Sequence, residues 1–81
     1  MNDLLENINK LHTTKLGVER IKKNLNIDVI DVVEYLKEKV LDKNSKIYKN
    51  GKNWYTEIDG IIITINSYNY SIITAHIKKE G

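Results

Sequence analysis

The chain has 81 residues, no cysteine, and a net charge of +2 from 13 basic and 11 acidic residues. This length predicts one domain, which we take to span residues 1–81. The lack of cysteine excludes a disulfide framework, a thiolate metal site and a cysteine nucleophile. The small basic excess does not by itself predict nucleic-acid binding.

Targeting features are missing from the sequence. No apolar run approaches the ~18 residues that a membrane-spanning helix needs, and no charged and apolar leader opens the chain. Small secreted domains usually carry disulfides. We therefore expect a cytoplasmic protein that does not interact with a membrane.

The first half of the chain predicts three amphipathic helices. The first covers residues 3–11, with Asn2 or Asp3 as its cap. Its apolar stripe consists of Leu4, Leu5, Ile8 and Leu11.

The second predicted helix starts after an N-cap at Thr13 or Thr14 and runs to about Leu25. Val18, Ile21 and Leu25 share its apolar face, with Leu16 beside them. Gly17, in its first turn, lowers helix propensity by ~1 kcal/mol relative to alanine. A glycine there also permits close packing or the approach of a ligand.

Asp28 is the predicted cap of the third helix, with Asp31 at its third position. The apolar stripe of this helix consists of Val29, Val32, Val33, Leu36 and Val40.

The last third of the chain predicts a four-stranded antiparallel meander. Asn50-Gly51 and Asp59-Gly60 both suit a two-residue type I′ turn. The second turn pairs Ile58 with Ile61, Thr56 with Ile63, and Trp54 with Ile65. The first pairs Ile47 with Trp54 and Lys46 with Tyr55.

Successive side chains of a strand alternate between the two faces of the sheet. The predicted core face carries Ile47, Trp54, Thr56, Ile58, Ile61, Ile63 and Ile65. The opposite, polar and aromatic face carries Lys46, Tyr48, Tyr55, Glu57, Ile62, Thr64 and Asn66.

The last strand, residues 71–77, has two possible registers. A two-residue turn at Tyr68-Asn69 puts Ile72, Thr74 and His76 on the core face. A three-residue turn over residues 68–70, with Asn69 or Tyr70 at positive φ, puts Ile73, Ala75 and Ile77 there. We prefer the second because it buries neither a histidine nor a threonine hydroxyl. Thr74 and His76 then join the polar and aromatic face.

The predicted fold is therefore α+β, with three N-terminal helices packed on one face of a C-terminal four-stranded antiparallel meander sheet. The other face is left open, and its aromatic and polar side chains are typical of a binding or catalytic surface.

Three groups of residues on these elements are candidates for chemistry. His12 and His76 are able to act as general acid or base, although a surface or junction role explains each equally well. Arg20 and Lys23, neighbours on the second helix, form a candidate phosphate contact or simply a solvated helix face. Tyr55 and Tyr70 either stack bases or stabilise the sheet. No spacing of metal ligands is present, and we expect neither a metal nor a cofactor.

Two segments, HTTKLGVERIKKNL and KNWYTEIDGIIITINSYNYSIITAH, resemble a family of small bacterial proteins described as a domain of unknown function. This resemblance covers nearly the whole chain.

A wider similarity links the chain to the RelE and barnase-type RNase toxin fold. It rests on His12, on Arg20 one to two helical turns later, on the IDVVEYL helix, and on a sheet that ends in IITAH. Proteins of that type cleave RNA without a metal, through side chains on the sheet that activate the ribose 2′-hydroxyl. The similarity implies a role for His12 and Arg20 near the second helix, for Thr74 and His76 on the last strand, and more loosely for Tyr70.

Two hypotheses follow. The first is a metal-independent endoribonuclease or RNA-binding toxin-type domain. In it, His76 and His12 are the acid–base groups, Arg20 and Lys23 stabilise the phosphate, and Thr74 and Tyr70 position the RNA. Tyr55 and Glu57 complete the predicted substrate-binding surface.

The second hypothesis is a non-catalytic interaction module: an antitoxin-like, phage-encoded or regulatory protein whose open sheet face binds a cognate protein or a second copy. The two histidines discriminate between the hypotheses, because a catalytic site brings His12 and His76 to one phosphate and a docking face does not.

Overall fold

Helices precede the sheet along the chain. The computed structural model describes residues 3–79 and, within them, three α-helices, one 3₁₀ helix and four strands. The α+β class and the four-stranded antiparallel sheet are as predicted. The helices are α1 (Asp3–Glu6), the 3₁₀ turn (Ile8–Lys10), α2 (Lys15–Leu25) and α3 (Val32–Leu41). The strands are β1 (Lys46–Asn50), β2 (Asn53–Ile58), β3 (Ile61–Asn66) and β4 (Ile72–Ile77).

The first predicted helix is interrupted at Asn7. Its side-chain amide donates to the Asp3 carbonyl at 2.8 Å, and its backbone amide donates to the same oxygen at 3.1 Å. Asparagine side chains compete in this way with helical backbone bonds. The prediction of one helix over residues 3–11 is therefore wrong. Of its two predicted caps, Asp3 lies inside α1 and Asn2 lies outside the described residues.

Thr14, one of the two predicted caps, begins α2. Its hydroxyl accepts a hydrogen bond from the Gly17 amide at 3.0 Å, and the helix buries Ile21 and Leu25. Leu16 is 72% exposed, so its predicted place beside the apolar stripe is wrong. Because a helix turns by ~100° per residue, Leu16 points away from the side that carries Ile21 and Leu25.

Asp31, and not Asp28, caps α3. Its carboxylate accepts from the Glu34 amide at 3.1 Å, so the predicted cap at Asp28 and the predicted third-position role of Asp31 are wrong. The later start leaves Val29 in the link between α2 and α3, where it packs against the core. The buried residues of α3 are Val32, Leu36 and Val40.

The turn between β2 and β3 has the predicted geometry. Asp59 and Gly60 both have positive φ, at 51° and 77°, as a type I′ turn requires. The predicted pairs of Ile58 with Ile61, Thr56 with Ile63, and Trp54 with Ile65 are confirmed.

The turn between β1 and β2 differs from the prediction. Gly51 and Lys52 form it, and Gly51 alone has positive φ, which suits a type II′ turn with glycine first. Ile47 therefore pairs with Thr56, and Lys46 with Glu57, so the predicted pairs with Trp54 and Tyr55 are wrong. The register shifts by two residues, and every side chain keeps its predicted face.

The last strand combines parts of both predicted registers. Ile72 pairs with Ile65 and is buried, whereas Ala75 pairs with Ile63 and Ile77 with Ile61. A β-bulge changes the register between these pairs by adding one residue to β4. Ile73 is 44% exposed, so its predicted core position is wrong. Ile77 lies opposite Ile61 on the predicted face, but it is 54% exposed and is not part of the core. The predicted placement of Thr74 and His76 on the polar face, opposite Thr64 and Ile62, is confirmed.

The helices cover one face of the sheet, whose strand order is β1-β2-β3-β4. α2 packs against β4, and α3 contacts β2. Seven residues of the four strands join the shared apolar cluster, and all but Ile72 lie on the predicted core face; they are Ile47, Trp54, Ile61, Ile63, Ile65, Ile72 and Ala75.

Thr56→Val is expected to stabilise the fold. The Thr56 side chain is fully buried, and its hydroxyl has no hydrogen-bond partner among the described residues. Valine keeps the shape and removes the unpaired group, which raises the free energy of unfolding by about 1 kcal/mol. Urea denaturation followed by Trp54 fluorescence measures the change. Thr74→Val, at a half-buried position on the other face, is the matched control, and a lower stability of Thr56→Val than of the wild type contradicts this account.

Gly17→Ala is expected to destabilise the fold, although alanine favours helices. A Cβ atom at this position overlaps the Thr13 hydroxyl, which donates to the Ile72 carbonyl at 3.3 Å. Such overpacking costs about 1–3 kcal/mol and exceeds the gain in helix propensity. The same substitution in a Thr13→Ala background removes the overlap and becomes neutral or stabilising. Equal effects in the two backgrounds, measured by denaturation, argue against the overlap.

Candidate functional site

His12 lies at the edge of β4, next to its start. Its backbone amide donates to the Tyr70 carbonyl at 3.3 Å, and its carbonyl accepts from the Ile72 amide at 2.8 Å. These bonds form a short parallel bridge between His12 and Ser71. The imidazole Nδ1 lies 2.9 Å from the Lys10 carbonyl, so the ring is held beside the 3₁₀ turn.

His76 lies towards the other end of the same strand. It is exposed and opposite Ile62, five residues beyond Ser71. At ~3.3 Å per residue, roughly 15 Å of strand separates it from His12. The structure does not bring the two histidines to one phosphate.

Arg20 and Lys23 lie in the helical layer. Both are exposed on α2, whose buried Ile21 and Leu25 face the core side of the sheet. α2 packs against β4, and the Asn24 side chain of this helix donates to the Ala75 carbonyl at 3.3 Å, next to His76.

Tyr70 is the fourth predicted residue that lies away from the polar face. It has a φ of 59°, one of the two positions predicted for that conformation, and it packs against the core cluster. The Lys10 ammonium lies 5.8 Å from the centre of its ring.

The uncovered face of the sheet, which we name the open face, presents three rows of side chains across the strands. The first row is Lys46, Glu57, Ile62 and His76; the second is Tyr48, Tyr55, Thr64 and Thr74; the third is Asn50, Asn53 and Asn66. Four predicted site residues, Tyr55, Glu57, Thr74 and His76, therefore share one surface.

Aromatic and charged side chains are fixed at the β1 side of the open face. The rings of Tyr48 and Tyr55 stack with their centres 5.4 Å apart at 18°. The Tyr48 hydroxyl donates to one Glu57 oxygen at 3.0 Å, and the Lys78 ammonium donates to the other at 2.7 Å. This network orients the tyrosine pair.

The same bonds shift two pKa values. The bond from Lys78, followed by the bond from Tyr48, lowers the pKa of Glu57 below its ordinary 4.5. Glu57 in turn raises the pKa of Tyr48 above 10.0. Glu57 is thus a carboxylate at neutral pH, which does not suit it to general acid catalysis.

Tyr48 and Lys78 belong to this network but were not among the predicted site residues. For Tyr48 the sequence did contain a signal, because a two-residue turn that begins with Gly51 places Tyr48 opposite Tyr55. The contact of Lys78 with Glu57 joins residues 21 positions apart and carries no local signal.

Residues 3–79 contain no concave pocket. Within the same range, no group of three histidine, cysteine, aspartate or glutamate side chains is placed to hold a metal ion. None of the described helices has the length and apolarity needed to cross a membrane.

Lys78→Met is expected to raise the pKa of Glu57 towards 4.5. The folded-state pKa lies below the unfolded-state value, so the Glu57–Lys78 contact stabilises the fold above pH 4.5 and is lost as the pH falls through the folded-state pKa. Carbon-13 NMR of the Glu57 carboxyl during a pH titration measures this pKa. Lys79→Met removes one positive charge at the neighbouring position and serves as the control. An equal shift of the Glu57 pKa in both variants excludes a specific Lys78 contact.

Comparison with known proteins gives a family but no activity. A family model described as a protein of unknown function (DUF3781) matches residues 5–76. No curated protein and no solved structure matches the chain, so the similarity to the RelE and barnase-type fold stays a prediction. The match covers most of the 81 residues and confirms the predicted resemblance to a family of unknown function. The chain belongs to the DUF3781 family.

Proposed function

We propose that this chain is a non-catalytic protein-interaction module that binds a partner on its open face. The observation that carries this proposal is the uncovered aromatic pair of Tyr48 and Tyr55, with Ile62 in the neighbouring row. Among the described residues, the helices pack only on the other side of the sheet. Aromatic and apolar side chains on an uncovered face are typical of interaction sites.

Fixed orientation also favours docking. Tyr48 is held by Glu57, which is held by Lys78, so these side chains lose little conformational freedom when a partner binds. An antitoxin-like, phage-encoded or regulatory protein would use such a surface.

The ribonuclease hypothesis has weaker support. Acid–base cleavage of RNA needs two proton-transfer groups and a cation around one phosphate. His12 and His76 lie roughly 15 Å apart along β4, and Arg20 lies in the other layer.

Site-specific cross-linking tests the docking proposal. The photoreactive residue p-benzoylphenylalanine replaces exposed His76 on the open face or, as a matched control, exposed Lys23 on α2. In cells that express the chain, we expect irradiation to attach a distinct protein at position 76 and not at position 23. Absence of an adduct at position 76, or the same adducts at both positions, overturns the proposal.

RNA cleavage in EDTA tests the ribonuclease hypothesis directly. The docking proposal expects the folded wild type and His76→Ala to leave RNA equally intact. Cleavage by the wild type that falls ~10²-fold or more in His76→Ala has the size of acid–base catalysis and restores the enzymatic hypothesis. Arg20→Ala reports whether the α2 cation takes part, and circular dichroism confirms that each variant is folded.

A further inference from the structure

The open face is small for a stable interface. Four strands, each of five or six residues, cover a projected area of roughly 19 by 20 Å, or about 400 Å². A stable complex buries ~800 Å² on each partner. A partner that binds the open face therefore also contacts neighbouring surface.

The outer edge of β4 is not available for this contact. The Ile72 amide donates to the His12 carbonyl at 2.8 Å, and its carbonyl accepts from the Thr13 hydroxyl at 3.3 Å. The Ala75 carbonyl accepts from Asn24 Nδ2, also at 3.3 Å. The chain's own residues thus occupy much of the hydrogen-bonding edge of β4.

Within residues 3–79, the outer edge of β1 is free. Asn50 and Asn53 flank a two-residue turn and form a hydrogen-bonded pair, and such pairs alternate along an antiparallel ladder. The backbone amide and carbonyl of Tyr48 therefore form hydrogen bonds with β2. Those of Ile47 and Lys49 point away from the sheet. Among residues 3–79, no backbone bond reaches these outward groups.

Positive charge surrounds this free edge. Residues 46–79 contain five lysines but only two acidic residues, Glu57 and Asp59. Both carboxylates are engaged, the first by Lys78 at 2.7 Å and the second by Lys39 at 2.6 Å. Among the described residues, Lys46, Lys49 and Lys52 around β1 make no ion pair, and the Lys49 ammonium lies 5.8 Å from the centre of the Trp54 ring.

This charge selects the kind of strand that fits the edge. A second copy paired through its own β1 brings the lysines of both copies together, and like charges across a strand pair are destabilising. An acidic strand instead meets opposite charge. Nucleic acid also meets opposite charge, but it leaves the outward backbone groups without a strand to pair with.

We propose that the free edge of β1 receives an extended acidic segment of a partner protein as a fifth strand of the sheet. This inference rests on the proposed docking function and names the chemistry of its partner. Lys46 and Lys49 are three residues apart on opposite faces, with Ile47 and Tyr48 between them. The complementary segment therefore has two acidic residues that flank two apolar ones, and its backbone completes the ladder.

A synthetic peptide with a central Glu-Ile-Val-Glu segment is the probe, and the same peptide with Gln-Ile-Val-Gln is its control. NMR of the full chain should show the largest changes at the Ile47 and Lys49 amides, with slower amide exchange there. Lys46→Glu/Lys49→Glu should weaken binding about tenfold or more, because it reverses the charges that the peptide meets. Lys15→Glu/Lys23→Glu makes the same change of net charge on α2 and should leave the affinity within about twofold.

Three results overturn the proposal. The first is an acidic peptide that leaves the Ile47 and Lys49 amides unchanged at its solubility limit. The second is a single-stranded RNA oligonucleotide that shifts the same amides at lower concentration. The third is sedimentation that shows a wild-type dimer which Lys46→Glu/Lys49→Glu dissociates.

The cross-linker at position 76 separates this proposal from the function on which it rests. An adduct that persists in Lys46→Glu/Lys49→Glu supports docking on the open face but overturns the proposal that the partner adds a fifth strand at β1. An adduct that is lost in this variant and kept in Lys15→Glu/Lys23→Glu supports both. Absence of an adduct in the wild type overturns the docking function itself.

Discussion

The Asp59-Gly60 turn determines which residues of the two central strands face each other. Its two consecutive positive φ values allow a hairpin of only two residues, and β2 and β3 follow in one register. From that register, alternation sends Ile63 and Thr56 to the helices and Tyr55 and Thr64 to the open face. The core, the uncovered face and the places of β1 and β4 beside the central hairpin all depend on it.

Sequence patterns predicted the faces of the sheet better than its pairings. In β1, glycine at the first turn position moved the register by two residues, and an even shift keeps each side chain on its face. In β4, the bulge buries Ile72 and still returns Ala75 to the core, which neither single register allows. Alternation is a property of each strand alone, whereas turn type and bulges depend on how two strands fit together.

The candidate site was less predictable than the fold, for a related reason. Helical periodicity identified α2 and its basic residues, but no local pattern states which side of the sheet a helix covers. The sequence therefore could not state where Arg20 on α2 lies relative to His76 on β4. The open-face placement of Thr74 and His76 followed from strand alternation, whereas the ring of Tyr70 packs on the core from a loop residue with positive φ.

The bridge from residues 12 and 13 to the start of β4 also has a consequence for how the chain folds. The β1–β2–β3 hairpins form from neighbours in sequence, but the Thr13–Ile72 contact joins residues 59 positions apart. Such long closures form late, because the entropy of a large loop must be overcome first. Without the N-terminal segment, the outer edges of both β1 and β4 are unpaired. Of these two strands, β4 begins with the apolar residues Ile72 and Ile73. The contacts of residues 12 and 13 therefore protect the start of β4 from strand-to-strand pairing between copies of the chain.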